Sequence, residues 1–180
     1  MNKTDESQIL YAFPSDDYVV FRVVGRGTFS NSVPLKDTVQ RMRQRNPRVR
    51  FILDLEQCSS MDSTFMGVLA SMGLGRRSDS LPNLTIVHAK EHSRKLLSTL
   101  GLTHFLDVRE PPQAPTAPPE AFVPAREAAV DKREQILHMI QAHQELINLD
   151  SKNKVRFENV LRYLDESLQR VEKKGGGWSS

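Results

Sequence analysis

Three consecutive residues, Asp62-Ser63-Thr64, carry the most readable chemistry in this 180-residue chain. They follow an apolar run and a short polar loop within Phe51–Ala70, FILDLEQCSSMDSTFMGVLA, at the point where a helix opens. A hydroxyl placed there sits at the positive end of a helix dipole, among backbone N–H groups that have no partner inside the helix, and a phosphate is stabilised in such a place. Ser63 therefore reads as a hydroxyl that is acted upon. Asp62 can cap the helix or orient that hydroxyl, and Ser63 can equally be the cap itself. Thr64 is a structural or secondary hydroxyl.

Other chemistries fit the residues less well. A serine hydrolase needs a glycine-framed turn, which Met61-Asp62-Ser63-Thr64-Phe65 lacks. His88 and His92 could lie at the same end of a sheet, yet residues 1–110 leave little room for a triad and an oxyanion hole. The same two histidines, spaced i and i+4, have no evident third metal ligand. Asp54 ends a buried strand as a receiver-type phosphoaspartate would, but Val24-Gly25-Arg26 stands where such a site needs acids. It is placed instead as a partner for backbone donors in the loop or at a partner-binding face. The single Cys58 excludes an internal disulfide, has no partner for a metal, and fits a reducing compartment. No catalytic residue, metal or cofactor is expected.

Composition narrows the partners. With 25 Lys+Arg against 22 Asp+Glu the net charge is +3, and the two signs are interleaved, so nucleic acid is not expected. Arg41-Met42-Arg43-Gln44-Arg45, the densest basic run, reads as a solvated helix face. Residues 1–8 lack an apolar signal core, and no apolar run reaches the roughly 20 residues that span a bilayer. The expectation is a soluble cytoplasmic protein.

These candidates need elements to position them. Ile9–Phe13 and Tyr18–Val24 read as strands of a hairpin around Pro14-Ser15-Asp16-Asp17, the second ending at Gly25-Arg26-Gly27. Ser32 with Pro34 in the first turn opens a helix to Arg45, stopped by Asn46-Pro47. Val49–Leu55 is a near-continuous apolar run, as in a strand buried on both faces. A helix from Ser63 to Arg77, a strand at Leu84–Val87 approached through Leu81-Pro82, a helix over Ala89–Leu100 with Gly101 as its stop, and an edge segment Phe105–Val108 complete an α/β unit: a small mixed sheet with helices packed on it. Composition changes at Glu110. Glu110–Pro124 holds six of the ten prolines and reads as an extended linker. Beyond it, helical periodicity over Ala125–Asn148, and from Ser151 through the stripe Phe157, Val160, Leu161, Leu164, Leu168 and Val171, predicts an αα-hairpin. The division is 1–110, linker 111–124, helical hairpin 125–174 and flexible tail 175–180. The stripe must bury against the first domain, a second copy or a partner.

Leu53-Asp54-Leu55, Met61-Asp62-Ser63-Thr64 and Gly67-Val68-Leu69 together resemble the STAS domain of bacterial anti-sigma factor antagonists. The opening hairpin ending in Gly25 and the closing segment Leu96–Leu102 leading to Phe105 and Val108 agree with that, so the resemblance spans Ile9–Glu110 and leaves the helical hairpin outside. It implies a STAS-like fold and a partner-switching cycle. Ser63 would be phosphorylated by an anti-sigma factor that is itself a Ser kinase, and dephosphorylated by a metal-dependent Ser/Thr phosphatase. The unphosphorylated form would bind the kinase and free a sigma factor, placing the chain in signal transduction and transcription regulation. Asp62, Thr64, Asp54, Phe65 and Met66 would support the phosphosite or bind the partner. Phe65 and Met66 stand where such domains usually carry something smaller; Phe65 can point into the core or toward a partner, and if exposed with Met66 and Met61 it would form an apolar patch for adaptable binding. The loop Gly27–Asn31 lacks the acid often found in relatives. A non-phosphorylated STAS interaction subunit of a transport or signalling complex is the alternative function, and a Ser hydrolase the weak one. A homodimer through the C-terminal helices is the further partner expected.

Overall fold

The computed structural model of the chain describes residues 7–74, 83–109, 115, 117–126 and 129–175. The expected end of the second helix at Arg77, the Leu81-Pro82 approach, much of the Pro-rich segment and most of the glycine-rich tail lie outside the described residues.

The hairpin forms as its turn composition predicts. β1 (Gln8–Ser15) and β2 (Tyr18–Gly27) pair antiparallel, with Ile9 opposite Val23 and Tyr11 opposite Phe21. β2 continues past the expected stop because Gly25 takes φ 74°, a left-handed backbone that lets the strand bend without a Cβ penalty. Its bent end then pairs parallel with β4 (Cys58–Met61), a strand hidden in what reads as a polar loop. β3 (Arg50–Asp54) lies parallel between β2 and β5 (Leu84–Val87), and β6 (Asp107–Arg109) forms the far edge. β7 (Val123–Pro124) covers the other edge by pairing with β1, giving the sheet order β6-β5-β3-β2-β1-β7 with β4 joined to β2. Proline is tolerated in such an edge strand because no further strand needs its missing N–H.

Strand alternation sorts the core. Val19, Phe21 and Val23 of β2, Phe51 and Leu53 of β3, and Leu84 and Ile86 of β5 face the helices, whereas Val20, Ile52 and Val87 pack together on the opposite face with Phe122. Helix α1 (Phe29–Arg45) begins four residues before the expected start, capped by Thr28, whose N–H donates to the Asn31 side chain at 2.7 Å. Ser32 is thus inside the helix, its hydroxyl donating back to the Phe29 carbonyl at 2.7 Å. Arg43 leaves the expected solvated face and donates to the Met72 carbonyl at 2.6 Å, tying α1 to the end of the next helix.

That helix, α2 (Ser63–Gly73), has no charged residue and is buried from Thr64 through Ala70. A helix apolar all round must be covered all round. α2 has the sheet on its inner side and α4 (Lys132–Leu149) on its outer side, and α4 pairs with α5 (Asn153–Gly175). Of the three covers the sequence leaves open for the hairpin, the contact made is with the chain's own first part. α4 starts at Lys132, later than expected, behind the N-cap Asp131 and its reciprocal capping box with Glu134. α3 (Glu91–Thr99) runs into Leu100 and stops at Gly101, φ 78°, as expected.

Candidate functional site

The site is assembled where β4 hands the chain to α2. Asp62 takes extended backbone geometry as N-cap, so the choice between Asp62 and Ser63 falls to Asp62. Its two carboxylate oxygens serve two helices: one accepts from the Phe65 N–H of α2 at 2.8 Å, the other from the Phe29 N–H at the start of α1, also at 2.8 Å. The negative charge lies at the positive ends of both helices. Ser63 occupies the first helical position, half-buried, and its amide and that of Thr64 have no hydrogen-bond partner among the described residues.

A residue that sequence reasoning missed completes the site. His143 of α4 lies 2.9 Å from the Ser63 hydroxyl through Nε2, while its Nδ1 lies 2.7 Å from the Met139 carbonyl. A carbonyl can only accept, so Nδ1 carries the proton and, in the neutral ring, Nε2 accepts from the Ser63 O–H. Burial pushes the His143 pKa down and favours that neutral ring, against the pull of the Met139 carbonyl and the Asp62 charge. The Phe157 ring packs edge-on against it at 5.0 Å between centroids. A second histidine of α4 makes a parallel contact. His138 Nε2 lies 2.8 Å from the Ser32 hydroxyl, which already donates to Phe29, so here the histidine donates. Burial and the neighbouring Lys36 charge lower the His138 pKa to about 4, with Asp62 opposing.

The other candidates separate from this point. Thr64 is buried at 5% exposure, so its hydroxyl is not a surface site. Phe65 at 0% and Met66 at 4% belong to the main core, as does Met61. Of the two directions open to Phe65, core or partner, the ring takes the core; with Met61 and Met66 buried beside it the three form no exposed apolar patch, and they support the site from below. The physical reason is Gly27, where a Cβ would come within 2.8 Å of the Phe65 ring; its absence opens the slot that the bulky ring fills. Cys58 is buried in β4, its thiol donating to the Ser60 carbonyl at 3.3 Å, and burial raises its pKa.

Asp54 ends β3 and belongs to a different cluster. Its carboxylate accepts from Arg22 Nε at 3.1 Å, His88 Nδ1 at 2.9 Å and the Glu56 N–H at 3.0 Å, which is the backbone-satisfying role foreseen as one of its two readings. His88 is held with φ 54°, a conformation uncommon for any residue but glycine. Ligand atoms of Asp54, Glu56 and His88 lie within 4.8 Å of one another, a spacing a cation could use. Arg22 already neutralises Asp54 and is itself stacked on Phe122 at 4.1 Å, so a cation would have to displace a formed ion pair. His92, in α3, is not part of that set.

No protein-family model and no curated protein matches the sequence. The fold aligns with solved structures. The anti-sigma factor antagonist SpoIIAA in its unphosphorylated form aligns at 17% identity and a TM-score of 0.44, over 58% of this chain and 89% of that chain. The phosphorylated form of the Bacillus cell fate determinant SpoIIAA aligns at 16% and 0.43, over 58% and 92%. A candidate anti-sigma factor antagonist from Thermotoga maritima aligns at 19% and 0.45, over 57% and 86%. Among the described residues no helix is long and apolar enough to cross a membrane.

Proposed function

We propose that the chain is a phosphorylation-controlled protein switch of the anti-sigma factor antagonist type, with Ser63 as its phosphoacceptor. The observation that carries this reading is the position of the Ser63 hydroxyl at the first turn of α2, next to two amides without partners among the described residues and to a carboxylate whose two oxygens are occupied by capping. A phosphate there adds roughly −1.5 to −2 charges. The amides of the first turn can take its oxygens, so the fold accommodates it, while a docked protein meets a large new charge beside Asp62. Binding, and not catalysis, is the output.

The partner class follows from the resemblance at Leu53–Leu55, Met61–Thr64 and Gly67–Leu69: an anti-sigma factor with Ser kinase activity adds the phosphate, and a metal-dependent Ser/Thr phosphatase removes it. The setting is the cytoplasm. A homodimer through the C-terminal helices would use the outer face of α5, where Val155 and Tyr163 are exposed.

The test is to incubate the chain with ATP and a Ser kinase of the anti-sigma type and to map the added mass. Phosphate on Ser63 is the expected result. Phosphate on another residue, or none from several such kinases, overturns the reading in favour of a constitutive interaction subunit.

A further inference from the structure

The Ser63 hydroxyl is half-buried, and the only side chain hydrogen-bonded to it among the described residues is His143 of α4. The contact between α4 and the α1–α2 surface has an unusual make-up. At its centre the two backbones meet at Gly67: a Cβ there would fall on the carbonyl group and Cβ of Ala142. Around this notch the ties are polar pairs, Ser63 with His143, Ser32 with His138, and Lys36 with Gln141. Pairs of this kind exchange for water at small net cost, unlike buried apolar contacts.

The apolar residues of the hairpin divide into two groups. Ile136, Ile140 and Leu164, with Met139, Leu161, Leu168 and Val171, form a cluster internal to α4 and α5. Leu146, Leu149 and Phe157, near the turn, belong to the main core. The turn is also pinned by Asn153, whose side-chain amide donates to Leu100 at 3.0 Å and Leu146 at 2.8 Å, and by Asp150 against Gly101. One end of the hairpin is therefore anchored in the core, while the other carries its own apolar cluster, is joined through residues 126–131 to β7 on the sheet edge, and meets α1 and α2 through the Gly67 notch, the polar latches and the edge contact of His138 with Phe29.

We propose that α4–α5 is a hinged cover. It pivots at the turn Asp150–Asn153, keeps its own cluster intact, and lifts α4 off α1 and α2 to uncover Ser63, with Gly67 as the notch that lets it close. The open form is the minor one at rest, since lifting exposes the outer face of α2.

Gly67→Ala tests this with a wedge. The added methyl meets backbone, which cannot give way, while alanine itself favours the helix that carries it. Spin labels on cysteines introduced at the exposed positions Ser30 of α1 and Arg133 of α4, both toward the Ser32–His138 end of the contact, report the opening by pulsed dipolar distance measurement. The expected result is one short distance with a long component of about a tenth or less in the parent chain, becoming the major component in Gly67→Ala with far-UV dichroism retained. His143→Ala, which removes a latch without a clash, should raise the long component severalfold. An unchanged short distance in both variants overturns the proposal, and so does loss of the whole fold in Gly67→Ala, which would make hairpin and sheet one inseparable unit. No kinase enters this measurement, so it stands or falls separately from the phosphoacceptor reading.

Discussion

Ser63 and His143, eighty residues apart in sequence, share a hydrogen bond of 2.9 Å in which the histidine accepts the serine proton. The ring of His143 is oriented by the neutral Met139 carbonyl, 2.7 Å from Nδ1. The consequences of the pair concern binding and stability.

Ser63→Ala should leave binding to a cognate kinase intact and abolish labelling by ATP, whereas Ser63→Asp should lose binding. A pull-down or titration calorimetry against the kinase reads both. Retained binding by the Asp variant would mean that charge at this position does not control docking.

Asp62→Ala removes the cap of α2 and the acceptor for Phe29 together. Loss of one cap costs about 1 kcal/mol, so denaturant unfolding should show a loss of about 1–3 kcal/mol, with Asp62→Asn at the lower end. Because the Asp62 charge raises both His138 and His143, Asp62→Asn should also shift both imidazole titrations further down by NMR. An upward shift would contradict the geometry described.

Acid should loosen the hairpin. His138 titrates near 4 in the folded chain against the ordinary value of 6.5, and His143 is also lowered. The undocked form therefore binds more protons, and stability present at neutral pH is lost as pH falls from 6.5 toward 4, by up to about tenfold in population per pH unit for each histidine. Lys36 adds to this effect on His138, while Asp62 opposes it at both rings. The double variant His138→Gln/His143→Gln keeps a donor and an acceptor but cannot titrate. The fall in melting temperature between pH 7 and pH 4.5 should shrink in it, and an equal fall in both proteins would refute this account.

Phe65→Ala should cost about 3–5 kcal/mol as a core cavity, read by thermal or chemical denaturation. A fully stable Phe65→Ala protein defective only in partner binding would put the ring back on the surface.

Much of the first part was legible. The apolar run through Phe51 and Leu53, the Pro14–Asp17 turn and Gly101 each carry a strong local signal, and each element formed. What escaped did so for physical reasons. β4 is a polar Cys-Ser-Ser-Met run too short to show alternation, and it exists because bent β2 offers it an edge. α1 starts at Phe29 because Asn31 closes a cap with Thr28, a weaker signal in sequence than Ser32 followed by Pro34. His143 is one histidine among five, and nothing local marks it as the partner of Ser63. One signal was present and more telling than it looked: α2 has no charged residue, so it required an outer cover, and the regular hairpin 125–174 was the segment without a seat. Phe65 was undecidable from sequence because the slot that takes its ring belongs to Gly27 on another strand.

The covered outer face of α2 changes what the Pro-rich segment means for the life of the protein. A composition break such as the one at Glu110 invites truncation by experimenters seeking a minimal domain. Cutting there would strip an uncharged helix of its shield and leave a fragment with an adhesive surface around Gly67 and Ser71. Such a fragment would fall out of solution or cling to whatever helix it met. The chain carries, in the last fifty of its 180 residues, the part that keeps its own uncharged helix from indiscriminate company.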